Sequence, residues 1–195
     1  VYDDAFDVND FENANNANIE LIKLNSPYYE INRYKINKKV LALGDEQYSN
    51  IAFEKAIDYY EFYLRLNPKN NNVISLRIAN CYLQLGNTIE AERMFTITCE
   101  ALLSSYADAH GANFYYSMNP RFVDEYHFEA FLGQGISSFL NGDYTKSQSA
   151  LNFAKFLRPK QPIVYQYLAQ VNEKTGDIQM ATINRELQQE FTGEQ

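Results

Sequence analysis

The sequence predicts an all-α chain of antiparallel helix pairs stacked one on the next as a solenoid, with one insertion between the second and third pairs. Three observations carry this expectation. Apolar residues recur at helical spacing from Tyr28 onward. No alternating run is flanked by hairpin turn signals, so nothing argues for a sheet. Short motifs recur in order along the chain: Gly142 and Gly176, like Asp143 and Asp177, stand 34 residues apart, a length that two helices and a tight turn occupy.

Residues 1–26 form an acidic, Asn-rich N-terminal arm. Little apolar area is available there to offset the entropy of ordering, although the stripe Ile19, Leu21, Ile22 and Leu24 allows one short helix over Asn18–Leu24. Ser26-Pro27 then reads as an N-cap followed by proline at the first helical position. Residues 27–195 form the helical-repeat domain, with units beginning near Asn37, Asn72, Phe128 and Pro162. In the first unit Leu43-Gly44, Ala56, Tyr60 and Pro68 stand in order, and in the second Ile78-Ala79, Tyr82, Gly86, Ala91 and Phe95. The third has Phe131, Gly135, Gly142, Asp143, Tyr144, Ala154 and Pro159, and the fourth Tyr165, Leu168-Ala169, Gly176, Asp177 and Ala181.

Each of these residue types has a physical use in a helix pair. Small residues at Gly44, Ala79, Gly135 and Ala169 let the first helix of a unit lie close to the second, where Ala56, Ala91 and Ala181 are their small counterparts. Gly86, Gly142 and Gly176 supply the unstrained positive φ that ends a first helix. Pro68 and Pro159 stop second helices. Tyr60 and Phe95 fill the gap to the next unit. Gly133-Gln-Gly135 lies inside a helix and reads as close packing.

Taken together, the four units resemble the tetratricopeptide-repeat family over about 155 residues. The departures are Ile51-Ala52 in place of the Gly-Asp turn in unit one, Leu103 in place of the closing Pro in unit two, Ser147 for Ala in unit three and Arg185 at the aromatic position in unit four. Uniform spacing would start the third unit near Tyr106, which leaves an insertion of about 22 residues, Tyr106–His127. It is expected to consist of an overlong second helix, a loop through Gly111–Pro120 and an overlong first helix. Its aromatics Phe114, Tyr115, Tyr116 and Phe122 either pack on the array or form a second docking surface.

The resemblance implies a right-handed superhelix whose concave face is lined by first helices. It also implies that the second, fifth, ninth, twelfth and thirteenth residues of each unit face the groove. Carried over, these give a partner-binding set of Tyr48, Leu76, Asn80, Leu83, Leu132, Ile136, Phe139, Gln166 and Gln170. The positions at which relatives of the chaperone-tail-binding kind clamp a terminal carboxylate carry Leu41, Asp45, Arg77, Glu129 and Gly133, so that clamp is absent. The groove is instead apolar at its middle, which suits an extended or helical hydrophobic segment of a partner. The competing expectation is that the insertion or the C-terminal helix Met180–Phe191 fills it.

Charge and composition narrow the function. The net charge is −8, of which residues 1–30 contribute −6 (seven acids against Lys23), so the body is nearly neutral. With no basic stripe, the balance argues against nucleic acid. No stretch approaches the roughly 18 unbroken apolar residues that membrane insertion by this chain would need. Cys81 and Cys99 have no metal-ligand spacing and read as small buried apolar side chains, with a disulfide between them the alternative. His110 and His127 lie near acids but in no HExxH arrangement, and no nucleophile motif or phosphate loop occurs. The reading is therefore not an enzyme, with no cofactor and no metal.

The expected function is a protein–protein interaction scaffold or assembly factor within a larger complex. The alternatives are a secretion chaperone of the type III translocator-chaperone kind and a bacterial envelope or pilus-assembly repeat protein. The sequence leaves open the compartment, cytoplasmic or on the periplasmic side of a bacterial assembly, and whether the chain forms a homodimer. The first residue is Val1, so a removed targeting segment is compatible with it.

Overall fold

In the computed structural model the described residues are 8–23, 28–67, 72–110 and 125–193, and every regular element among them is an α-helix. In order these are α1 Val8–Lys23, α2 Tyr28–Ser49, α3 Phe53–Leu66, α4 Asn72–Gln84, α5 Thr88–His110, α6 Glu125–Leu140, α7 Tyr144–Leu157, α8 Pro162–Thr175 and α9 Ile178–Gly193. The all-α expectation holds, with α2–α3, α4–α5, α6–α7 and α8–α9 as successive helix pairs. Contacts gather the chain into two compact units, Val1–Ile74 and Ser75–Gln195.

The turns inside the pairs explain why the helices stop where they do. Gly86, Gly142 and Gly176 have φ of 73°, 83° and 84°, the left-handed conformation that costs glycine nothing. Around each, the glycine N–H bonds the carbonyl three residues back and the next N–H bonds the carbonyl five back, as in Gly142 to Phe139 and Asp143 to Ser138. The residue after the glycine then caps the following helix. The side chains of Asn87, Asp143 and Asp177 accept from the backbone N–H groups of Glu90, Lys146 and Met180 at 3.3, 2.9 and 3.1 Å. Two residues thus satisfy the carbonyl end of one helix and the amide end of the next.

The first unit makes the same turn without either residue. Ile51 N–H bonds Tyr48 and Ala52 N–H bonds Gln47, the same pattern. Ile51 takes φ 63°, an outlier for a β-branched residue, and Ala52 provides no side-chain cap. Ile51 is also 74% exposed.

In this unit α1 packs on α2 and α3 and Arg65 on α3 pairs with Glu12 on α1 at 2.8 Å. The helix is longer than the Asn18–Leu24 stripe predicted. The α2 helix also runs upstream of Asn37, the expected start of the repeat. The Ser26-Pro27 cap and Pro68 lie outside the described residues. The core gathers Val40 and Phe62 with Ile36, Leu43, Tyr59, Tyr63 and Leu66. Tyr60 is 1% exposed. A Cβ on Gly44 would stand 2.7 Å from its ring, so Gly44 permits the close approach of α2 and α3.

In the compact unit Ser75–Gln195 one core joins α4 to α8, from Leu76, Ala79, Ala91 and Phe95 through Phe131, Ala150, Leu151 and Ala154 to Val164, Leu168 and Val171. The Gly133-Gln-Gly135 segment serves both neighbours of α6. A Cβ on Gly133 would lie 2.3 Å from the Phe95 ring of α5, and one on Gly135 2.6 Å from Leu151 Cγ of α7. Phe95 thereby fills the gap to the next pair, as predicted. Ser147, in place of the expected Ala, is fully buried and its hydroxyl donates to the Gly135 carbonyl at 2.7 Å, which removes the penalty of an unpaired buried hydroxyl. The overlong second helix appears as α5, 23 residues long, and α6 begins three residues before Phe128. The loop between them is outside the described residues.

Candidate partner-binding groove

The predicted groove residues of the second unit lie on α4, α6 and α8, the first helices of their pairs. Helical spacing puts Leu132, Ile136 and Phe139 on one side of α6 while Phe131, Gly135 and Ser138 are buried on others. Leu132, Ile136, Phe139, Asn80, Leu83, Gln166 and Gln170 are all half-buried, and Leu140 beside them is 52% exposed. Leu76 differs: it is 2% exposed and belongs to the core, so it offers no surface to a partner. Tyr48 is half-buried in the first unit, edge-on to Phe53 with ring centroids 5.5 Å apart. Phe114, Tyr115, Tyr116 and Phe122 lie outside the described residues.

Half-burial here has a specific cause. Leu83, Leu132 and Phe139, with Ile163 and Tyr167, pack their inner sides on the core of the second unit. Phe139 sits between Tyr144 and Tyr167, each with its ring centroid 5.8 Å away. Tyr167 escaped the sequence reading because its position in the repeat is not among the groove places the resemblance supplied. Its signal was an aromatic residue next to Gln166 on the same helix. Asp45 accepts from the Tyr60 hydroxyl at 2.8 Å, and Glu173, the twelfth residue counted from Pro162, pairs with Arg185 of α9. Burial and the neighbouring Glu125 raise the Glu129 carboxyl above its ordinary range. The α9 helix packs on α8 as the second member of the fourth pair, with Phe191 against Tyr165 at 5.2 Å.

A polar joint between α5 and α7 was not anticipated. Glu92 on α5 pairs with Lys146 on α7 at 2.7 Å and accepts from Asn141 Nδ2 at 2.5 Å. Burial alone would raise the Glu92 carboxyl, but the hydrogen bonds and charge from Lys146, with the bond from Asn141, outweigh it and hold it below its ordinary value. Further inside, Gln134 donates to Thr96 at 3.0 Å between α6 and α5, and Gln148 to Asn172 at 3.2 Å between α7 and α8.

Both cysteines are buried free thiols. Burial pushes Cys81 up to about 12 and Cys99 higher still, so neither carries thiolate at neutral pH. Among the described residues no group of three or more His, Cys, Asp or Glu is placed to hold a metal ion, and no helix is long and apolar enough to cross a membrane.

No protein-family model and no curated protein matches the sequence. Solved structures do match. The chain is similar to MamA from residue 41 to its end of Desulfovibrio magneticus RS-1, at 15% identity and TM-score 0.64, over 95% of this chain and 96% of that one. It is similar to MamA AMB-1 at 16% identity and TM-score 0.60, over 91% and 96%. It is also similar to the TPR domain of Arabidopsis OM64 at 16% identity and TM-score 0.54, over 72% and 98%. At such identities the likeness shows the fold: an all-α helical repeat of the tetratricopeptide type.

Proposed function

We propose that this chain is a non-catalytic protein-binding scaffold that holds an apolar segment of a partner against the first helices α4, α6 and α8. The observation that supports this reading is the row of half-buried apolar side chains on α6, Leu132, Ile136 and Phe139, ending at the exposed Leu140. Such side chains are anchored on one side and still have apolar area to give to a ligand. Asn80 on α4 and Gln166 and Gln170 on α8 are half-buried carboxamides that both donate and accept, which suits the backbone of a peptide segment. The similar TPR domain of OM64 supports a scaffold reading through its fold alone.

The test is affinity purification from the native source, with wild type beside an Ile136→Glu/Leu140→Glu variant whose helicity and melting match wild type. These two positions are chosen because Leu132 and Phe139 also support the core. A partner retained by wild type and lost by the variant supports the groove. Retention by both transfers the interest to the Tyr106–His127 insertion as the docking surface. Tyr48→Ala, tested separately, reports whether the first unit contributes.

A further inference from the structure

The sequence contains one Asn-Gly pair, Asn141-Gly142, and it lies in the exposed turn between α6 and α7. Asn-Gly is the dipeptide most open to deamidation, because glycine leaves its amide nitrogen unshielded. That nitrogen attacks Asn141 Cγ, the new N–Cγ bond closes a succinimide, and the Cγ–Nδ2 bond breaks. Nδ2 leaves as ammonia, taking the proton that the Gly142 amide gives up. Water then adds to one of the two ring carbonyls and opens the ring to an aspartyl or isoaspartyl residue.

The fold restrains both reacting groups. The Gly142 N–H donates to the Phe139 carbonyl at 3.0 Å and the Asn141 N–H to Ser137 at 3.0 Å. The Asn141 side chain is tied to α5 at three points. Its Nδ2 donates to the Thr88 carbonyl at 3.1 Å and to Glu92 Oε2 at 2.5 Å, and its Oδ1 accepts from the Thr88 hydroxyl at 2.5 Å. The nucleophile is committed elsewhere, and the side chain cannot turn towards it without releasing α5.

We propose that Asn141 is a deamidation site gated by opening of the α6–α7 turn, and that the product unlatches α5 from that turn. An aspartate at 141 places a carboxylate against Glu92, with Asp143 two residues on. Among the described residues the joint's cation is Lys146, and it is already bound to Glu92 at 2.7 Å. The Thr88 carbonyl, which accepted from Nδ2, then faces an acceptor. The isoaspartyl form adds a methylene to the backbone of a turn whose hydrogen bonds depend on its spacing. Reclosing is disfavoured, so the change persists.

The full chain is aged at mildly alkaline pH, folded and in urea, and conversion of the peptide containing residues 141 and 142 is followed by mass-spectrometric peptide mapping. Conversion in the folded chain should be roughly 10–1000-fold slower than in urea, reflecting the population of the open turn. Thr88→Val should speed the folded reaction and leave the urea rate unchanged. Equal rates folded and unfolded, or a folded rate indifferent to Thr88→Val, would overturn the gating. Asn141→Asp should lower the unfolding midpoint, and adding Glu92→Gln should recover part of that loss. Strictly additive losses would overturn the unlatching. If Asn141→Asp does not fold, the deamidated fraction of aged wild type, separated by ion exchange, is melted beside the intact fraction, and equal midpoints would overturn it too.

Discussion

Giving the first unit the turn that the other three possess should stabilise it. The perturbation is Ile51→Gly with Ala52→Asp. Ile51 occupies the left-handed conformation at φ 63°, which costs a residue with a Cβ about 1–2 kcal/mol. It is 74% exposed, so little packing is lost with its side chain. Glycine returns about 0.5–1 kcal/mol of this through the greater freedom of the unfolded chain. The net gain at this position is about 0.5–1 kcal/mol. Ala52 has φ −91° and ψ 65°, close to the −82° and 78° of Asp143, so an aspartate there should reach the N–H of Lys55 and add about 1 kcal/mol. Adjacent changes couple, and the pair together is expected to give about 1.5–2 kcal/mol, a rise in melting temperature of roughly 3–8 °C for a chain of this size. Urea unfolding followed by circular dichroism reads the magnitude. Hydrogen exchange of α2 and α3 amides reads the location. Ile51→Gly that leaves stability unchanged or lowers it would refute the strain at 51, whereas failure of Ala52→Asp alone would refute only the missing cap.

Gly135→Ala should destabilise the compact unit Ser75–Gln195 by about 1–2 kcal/mol, because overpacking against Leu151 exceeds the helix-propensity gain of alanine. The same change at Gly193, where a Cβ meets nothing within 4 Å, should be neutral or slightly favourable in the same urea titration. Phe95→Ala removes a fully buried ring and should cost about 3–5 kcal/mol, measurable as a lowered midpoint with unchanged helicity at low urea. Glu92→Gln should cost about 1 kcal/mol at neutral pH, since the joint is partly exposed. The depressed carboxyl contributes stability above its ordinary value of 4.5 that is lost as pH falls through the lower folded value, so wild type and variant should converge in acid. Cys81 and Cys99 should resist alkylation in the folded chain and react together on unfolding. Rapid labelling at neutral pH without denaturant would contradict their burial.

The sequence by itself determined the local geometry of the repeats. Gly86, Gly142 and Gly176 with Asn87, Asp143 and Asp177 mark where each first helix ends and each second helix begins, because backbone freedom and short-range capping belong to the residue and its immediate neighbours. Small residues such as Gly44 and Gly135 are legible for the same reason: the absence of a side chain is itself the signal for close approach. Tertiary structure decided what no local preference encodes. It imposed the left-handed turn on Ile51, because α2 and α3 must pair through Gly44 and Tyr60 whatever residue closes the turn. Leu76 went to the core while Leu132, at the corresponding place in the third unit, kept an open side. The joint of Glu92, Asn141 and Lys146 gathers residues about 50 positions apart, as the separation between Asn141 and Glu92 shows. Burial and charge pairing are properties of the space that distant side chains leave or fill, and that space exists only once the helices have packed.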